Sequence, residues 1–309
     1  MKLVVMIPAY NEEISISNVI MEIPRKIKGV DLVEVLIIND ASVDNTLEEA
    51  SRAGANKIIT HKKNLGLGIS FRDGLEEALD MRADIIVNTD ADFQYNGAEI
   101  PKLIEPILNG TADIVIGDRQ IDSLDHMPIG KVIGNKLATW VTRRVTSLPI
   151  RDAQTGFRAF SREAALKMSL TGNYTYVQET LIQAANKNLV VEQIPIEFRK
   201  RSGKSRLISN LFSYAKSAGT TIIRSYRDYQ PFKVFTVIGL AFIVVGFAVG
   251  SKVLIHYFDT GTVTPYLPSA VLTTVLVIVG LQAVVFGLIA DMLKTQRIFQ
   301  EEILYRLKK

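Results

Sequence analysis

Cysteine is absent from the 309 residues. That excludes disulfides, thiolate metal sites and a cysteine nucleophile. Histidine is scarce: His61, His126 and His256 lie far apart in the chain. They have no metal-ligand spacing, so each reads as a structural or surface residue. Tryptophan occurs once, as Trp140. The full glycine patterns of the P-loop and of the dinucleotide-binding turn are both missing. A strong charge bias is missing too. The net charge is +4 and the pI about 9.1. This mild basic excess fits anionic partners such as lipid head groups or phosphates without choosing between them.

Apolar residues, by contrast, are plentiful. They make up 48% of the chain, and the mean hydropathy is +0.18, high for a soluble enzyme. Two uncharged runs, Val234–Ser251 and Leu267–Ala290, account for much of this. At 1.5 Å per residue, an 18-residue helix spans roughly 27 Å, close to the hydrocarbon thickness of a bilayer. Lys252 and His256 extend the first span by snorkelling. Arg224, Arg227 and Lys233 precede the first run, and Lys294, Arg297, Arg306, Lys308 and Lys309 follow the second. Positive-inside logic places both termini in the cytoplasm and the short linker Phe258–Tyr266 outside. The N-terminal apolar stretch is too short for a signal peptide and runs straight into a turn. The first part of the chain is therefore expected to stay in the cytoplasm.

That first part alternates between two patterns. Lys2–Ile7, Val33–Asn39, Lys57–Thr60, Ile85–Thr89 and Ile114–Gly117 are short runs rich in β-branched residues and read as buried strands. Between them, Glu12–Lys28, Asn45–Ala53, Ile69–Met81 and Ile100–Leu108 read as helices. The alternation implies βαβ units and a mostly parallel sheet covered on both faces. Ligands of such sheets bind at the carboxyl ends of the strands. From Arg201 to Lys233 the chain changes character: basic residues stand at 201, 204, 206, 216, 224, 227 and 233 against one acid, Asp228. Leu207, Leu211, Ala215, Ala218, Ile222 and Tyr226 recur at helical spacing. The segment reads as amphipathic helix suited to an anionic membrane surface. The expected organisation is a catalytic domain over 1–205, interfacial helices over 206–230, a two-helix membrane hairpin over 231–293 and a cytoplasmic tail over 294–309.

Chemistry concentrates at the predicted strand ends. Asn88-Thr89-Asp90-Ala91-Asp92-Phe93-Gln94 leaves the fourth strand with two carboxylates one residue apart. Mg²⁺ or Mn²⁺ commonly takes one or two carboxylates and completes its shell with water and substrate phosphates. Taken alone, the pair could equally be solvated aspartates in a turn. It is accompanied by Ile7-Pro8-Ala9-Tyr10-Asn11-Glu12-Glu13 after the first strand, Asn39-Asp40-Ala41-Ser42-Val43-Asp44 after the second and Asn64-Leu65-Gly66-Leu67-Gly68 after the third. Successive polar loops of this kind are what a nucleotide pocket requires, and the glycines would let backbone approach a ribose.

These motifs, with Gly117-Asp118-Arg119 and Asp152-Ala153-Gln154-Thr155-Gly156-Phe157-Arg158, resemble family 2 inverting glycosyltransferases of the GT-A fold. The resemblance is nearest to dolichol-phosphate mannose synthases and polyprenyl-phosphate glucosyltransferases, and it covers roughly residues 1–230. It implies an α/β fold with interfacial amphipathic helices and two transmembrane helices. It also implies transfer of a single hexose from GDP-mannose or a UDP-hexose to dolichyl or polyprenyl phosphate, on the cytoplasmic membrane face.

The resemblance assigns Pro8, Tyr10, Glu12 and Asp40 to the base and ribose. It assigns Asp90 to the nucleotide and metal, and Asp92 and Gln94 to the metal (Mn²⁺ or Mg²⁺). Arg119 and Arg158 would meet phosphates or the acceptor. The segment Arg199–Arg206, with Arg201, Lys204 and Arg206, would close over the donor; a lipid-facing charge cluster is the plainer reading of it. Asp152 is the candidate base or orienting carboxylate, unless it simply pairs with Arg151 or Arg158. The expected catalytic set is Asp92, Asp152 and Arg158, and the expected partners are nucleotide sugar, polyprenyl phosphate and membrane lipid, not nucleic acid, with homo-oligomerisation left open.

Departures also inform. Processive synthases carry Q-x-x-R-W, which is absent here, so one transfer per acceptor is expected. Phe93 stands where leucine or glycine is commoner. The rival readings are a sugar nucleotidyltransferase, which would want a glycine-rich activation loop and no membrane anchor, and a catalytically inactive membrane scaffold.

Overall fold

The computed structural model describes residues 1–124, 127–170, 176–200 and 231–308. It divides into two compact units, Met1–Gly219 with Leu307–Lys309, and Thr220–Arg306. The amphipathic helices expected over 206–230, and Arg201, Lys204 and Arg206, lie outside the described residues.

The first unit is built on seven strands: β1 (Lys2–Ala9), β2 (Leu32–Asn39), β3 (Lys57–Thr60), β4 (Ile85–Asn88), β5 (Ile114–Asp118), β6 (Arg158–Ser161) and β7 (Val191–Pro195). They form one sheet in the order β3-β2-β1-β4-β6-β5-β7. All five strands read from the sequence are present, within two residues at each end. In β1 and β2 the β-branched runs are buried on both faces: Leu3 to Ile7 and Val35 to Ile38 are fully covered, each such side chain contributing about 1.5–3 kcal/mol. Only β6 runs against its neighbours, antiparallel to both β4 and β5. It was not legible in the sequence as a strand.

Helices connect the strands: α1 (Ile16–Glu22), α2 (Thr46–Arg52), α3 (Leu67–Asp80), α4 (Ile100–Leu108), α5 (Ile129–Thr146), α6 (Arg162–Lys167) and α7 (Val177–Asn186). The first helix is shorter than its sequence pattern suggests. Ile23 precedes Pro24 and is extended, with ψ 118°, because the proline ring disfavours helix at the residue before it. In α4 the buried positions Ile100, Leu103, Ile104 and Ile107 keep the three-and-four spacing of a single core-facing stripe.

The reversal of β6 has a consequence for function. Arg158, its first residue, is level with Asn88 at the end of β4. The segment Asp152–Phe157 therefore arrives at the same sheet edge as the carboxyl ends of the other strands. The chain also moves outward from β1 to β3 and then returns to β4 on the other side of β1. That makes the β1/β4 crevice the switch point where such sheets bind ligands.

The second unit is two long helices, α8 (Pro231–Thr260) and α9 (Leu267–Lys308). Both are long and apolar enough to cross a membrane. α9 runs on without a break through residues expected to form a separate tail; its 42 residues would span roughly 63 Å. Glycines let the two helices approach closely. A Cβ at Gly239 would stand 2.6 Å from the Gly280 carbonyl oxygen, and one at Gly280 would stand 2.7 Å from the Gly239 oxygen. Gly246 faces Leu276 and Val277, and Gly250 faces Thr273. Small residues at such seams replace the missing hydrophobic drive between helices in lipid. Gly280→Ile is therefore expected to lower the stability of the hairpin by about 1–3 kcal/mol, since the obstructing atom is backbone and cannot rotate away. Val285→Ile, at an exposed position, should leave it unchanged. Unfolding of the detergent-solubilised protein against added sodium dodecyl sulfate distinguishes the two.

Candidate active site

The loops after β1 and β2 are tied to each other. The Asn11 N–H donates to Ser42 Oγ at 3.0 Å, the Val43 N–H donates to Asn11 Oδ1 at 2.8 Å, and the Glu12 N–H donates to Thr46 Oγ1 at 2.8 Å. Asn11 and Ala41 have positive φ, 53° and 61°, a conformation that costs a non-glycine residue roughly 1–2 kcal/mol. The chain thus reverses sharply as it leaves both strands. Pro8 lies in β1 opposite Ile38. Pairing with β4 has already ended at Met6, so a residue without an N–H is tolerated there. Tyr10 follows at the edge and is 38% exposed.

Asp40 is buried at the end of β2. Its carboxylate accepts the N–H groups of Leu65 and Gly66, both at 2.8 Å, and lies 2.8 Å from His61 Nδ1. It therefore fixes the Asn64–Gly68 loop against β2. His61 Nε2 lies 3.2 Å from Asp73 on α3 without a hydrogen bond to it, so this histidine sits between two carboxylates as a structural residue.

The Asp90–Gln94 turn is the centre of the edge. Phe93 has φ 64°, and the Gln94 N–H folds back on Asp92 Oδ1 at 3.2 Å. Gln94 is held from the other side: its Nε2 donates to the Arg199 carbonyl at 3.2 Å, and its own carbonyl accepts the Arg199 N–H at 2.8 Å. The Arg199 guanidinium lies 4.9 Å from the Phe93 ring centre and pairs with both oxygens of Glu22 at 2.8 and 3.0 Å. The root of the basic segment is thus bonded directly to the carboxylate motif. Arg199 was legible only as one of a row of cations; Glu22 carried no signal.

Beneath Asp90, Gly156 is clamped. Its N–H donates to Tyr95 Oη at 2.8 Å, and its carbonyl accepts from Asn88 Nδ2 at 2.7 Å. The same Asn88 nitrogen reaches Tyr176 Oη at 2.9 Å. Tyr176 is stacked on Phe71 with ring centres 3.7 Å apart. Burial pushes both phenols well above their ordinary range, so they remain neutral. The glycine leaves room for the carboxylate: a Cβ at position 156 would lie 2.8 Å from Asp90 Oδ1. Tyr95, Tyr176 and Asn88 were not read from the sequence as a unit, because they are brought together over more than sixty residues.

Asp152 pairs with neither Arg151 nor Arg158, the partners considered from sequence, but with Arg119. The contact is bidentate, Nε to Oδ2 at 2.7 Å and Nη2 to Oδ1 at 2.9 Å, and both side chains are buried. The Arg119 guanidinium also lies 5.2 Å from the Phe198 ring centre. Burial would lower its pKa; the charge and hydrogen bonds of the Asp152 carboxylate oppose that and hold it in the charged form.

Arg158 differs from expectation more sharply. It is fully buried and donates to the carbonyls of Thr155, Val177 and Ala153 at 2.9, 2.7 and 2.9 Å and to Thr180 Oγ1 at 2.6 Å. Burial lowers its pKa to about 10, so it stays charged at neutral pH. Its donors hold the entry to α7 and the Asp152–Phe157 loop, and these bonds all go to protein acceptors.

Among the described residues no group of three or more His, Cys, Asp or Glu side chains is placed to hold a metal. Asp90, Asp92 and the Gln94 amide are nevertheless of the donor type taken by a cation that draws two carboxylates from the protein and the rest from phosphate and water.

Comparison with known proteins agrees with this edge. Residues 4–168 match the sequence family described as Glycosyl transferase family 2. The chain is 32% identical over 212 residues to a UDP-N-acetylglucosamine–dolichyl-phosphate N-acetylglucosaminyltransferase of Methanococcus voltae, covering 62% of this chain and 83% of that one. It is 30% identical over 257 residues to a dolichol-phosphate mannosyltransferase of Pyrococcus furiosus, covering 79% and 70%. In fold it is similar to glucosyl-3-phosphoglycerate synthase of Mycobacterium tuberculosis, solved with Mn²⁺ and uridine diphosphate, with a TM-score of 0.57, 20% identity and coverage of 73% of this chain and 78% of that one. The sheet has the GT-A-like arrangement expected from the sequence motifs. With its loops carrying those motifs over the matched residues, the chain belongs to glycosyl transferase family 2 and is a glycosyltransferase.

Proposed function

We propose that the protein transfers one hexose from a nucleotide diphosphate sugar to a dolichyl or polyprenyl phosphate, with inversion, at the cytoplasmic face of a membrane. One observation carries the reading. The Asp90–Gln94 turn, the clamped loops after β1 and β2 and the root of a basic segment meet at one sheet edge, in a chain that also has two membrane-length helices. The dolichyl-phosphate transferases among its relatives support the lipid acceptor. In this reading the chain is an integral membrane protein with both termini cytoplasmic, because the basic flanks lie outside the two spans.

A divalent cation, Mn²⁺ or Mg²⁺, held by Asp90, Asp92 and Gln94 would neutralise the departing diphosphate. In this reading Pro8, Tyr10 and Glu12 hold the base and ribose, and Asp40 shapes their crevice by fixing the Asn64–Gly68 loop. Arg119, oriented by Asp152, presents its positive charge to a phosphate. Arg201, Lys204 and Arg206 meet the phosphates from a segment whose root, Arg199, is anchored on Gln94. The acceptor phosphate is already anionic, so it needs in-line positioning more than a base. Asp152 accordingly orients Arg119 and does not take a proton, and Arg158 holds the loop from within.

The test is transfer to a short polyprenyl phosphate with GDP-mannose, UDP-glucose and UDP-N-acetylglucosamine in turn, scored as lipid-linked sugar. Product from one donor, lost with EDTA and reduced at least about 10²-fold by Asp92→Ala, is the expected outcome. Absence of lipid product from all three, with metal-dependent nucleotide binding intact, would move the acceptor assignment elsewhere.

A further inference from the structure

The face of α5 is turned inside out. Its solvent side carries Ile133, Leu137 and Trp140, which are 61, 60 and 63% exposed. These positions are spaced by four and three, so they form one stripe along the helix. The buried side carries Ala138, Thr139, Thr142 and Thr146. The threonines there are satisfied locally: Thr142 Oγ1 donates to the Ala138 carbonyl at 2.9 Å, Thr146 Oγ1 donates to the Thr142 carbonyl at 2.7 Å, and Thr139 Oγ1 accepts the Ala153 N–H at 3.1 Å. An ordinary surface helix would place the large apolar residues inward and the threonines outward. Packing among the described residues of this unit does not explain the pattern.

The exposed stripe also carries charge of one sign. Arg143 and Arg144 are exposed at its C-terminal end and form no ion pair among the described residues, while Lys136 within the stripe pairs with the exposed Asp122. Aliphatic residues, a tryptophan and flanking arginines are the composition of a helix lying in a membrane interface. There the ring sits at head-group level and the cations meet anionic lipid. We infer that α5 docks flat on an anionic lipid surface through Ile133, Leu137 and Trp140. This contact belongs to the α/β unit itself and is separate from the two membrane-length helices. α5 is the first α-helix after the β5 end that bears Asp118 and Arg119, so the contact would hold the ligand edge close to the lipid.

The chain's one tryptophan lies on the stripe, and it reports the contact directly. The full chain is reconstituted into vesicles of phosphatidylcholine with phosphatidylglycerol, some of the lipids brominated at known depth. The expected result is blue-shifted emission, quenched more strongly by bromines about 5–10 Å below the head groups than by bromines at the bilayer centre. Arg143→Glu/Arg144→Glu should reduce that quenching to the level seen in phosphatidylcholine alone. Water-exposed emission without lipid quenching overturns the inference. So does blue-shifted emission that lipid bromines do not quench, which would place another protein surface over the stripe. Transfer activity is measured in the same vesicles: an inactive chain that is quenched leaves the inference standing, and an active chain that is not quenched overturns it alone.

Discussion

Replacing Asp152 by alanine is expected to lower the stability of the α/β unit by about 3–5 kcal/mol. The reason is the company Asp152 keeps. It is 1% exposed and Arg119 is 10% exposed at the side chain, so removal of the carboxylate leaves a guanidinium in a dry site with two charge-assisted bonds unmade. The Gln154 N–H, which donates to Asp152 Oδ1 at 3.0 Å, is orphaned as well, and with it the turn that leads to Gly156. Asp152→Asn keeps the shape but not the charge and should fall between wild type and alanine. An Arg119→Met/Asp152→Leu double variant removes both charges. It should recover much of the stability, but not transfer activity, which in this account needs the Arg119 cation. Urea unfolding of the solubilised protein followed by near-ultraviolet circular dichroism measures the order of the variants. If Asp152→Ala is as stable as wild type, the buried pair has been assigned too much weight.

Gly156→Ala should cost activity with little change in stability. The added methyl would meet Asp90 Oδ1 at 2.8 Å, Asp90 Oδ2 at 3.0 Å and Tyr176 Oη at 3.1 Å. Tyr176 cannot retreat, because its ring is stacked on Phe71 in the interior. The glycine itself cannot move away, because Tyr95 and Asn88 hold its N–H and carbonyl. The Asp90 carboxylate is left to shift. A displacement of about 1 Å at a positioning group is enough to lower turnover about 10²-fold. The signature is a raised Mn²⁺ concentration for half-maximal transfer together with an unmoved thermal midpoint. Wild-type metal dependence in Gly156→Ala would show that Asp90 does not set the metal geometry.

Local pattern made much of this protein legible. Four of the five strands read from sequence are buried on one or both faces, and β3 is half-buried, so they appear as continuous β-branched runs, and the motifs that follow them mark the ligand edge without any knowledge of the sheet order. β6 was missed because four residues, Arg-Ala-Phe-Ser, carry no period, and their pairing partners lie on β4 and β5. The helix α5 was missed for a physical reason: its inward positions are alanine and threonine, so the stripe that sequence reading looks for faces away from the core. In the site, types of residue were legible and neighbours were not. Arg119, Arg158 and Asp152 stand out as charged residues in polar loops, yet nothing local says that Asp152 grips Arg119 across 33 positions or that Arg158 turns inward to backbone carbonyls. Gly156 stood inside a recognised motif, but its role, to leave space for Asp90, appears only once β6 is seen to run backwards.

In the proposed reaction the Asp90–Gln94 turn holds the diphosphate of the donor through a divalent cation. Electron paramagnetic resonance of Mn²⁺ titrated into the full chain with GDP or UDP present tests this without relying on turnover. The account predicts a bound-Mn²⁺ signal that requires the nucleotide, is lost in Asp92→Ala and survives in Val285→Ile. Equal Mn²⁺ binding by wild type and Asp92→Ala, or none by either, would contradict it.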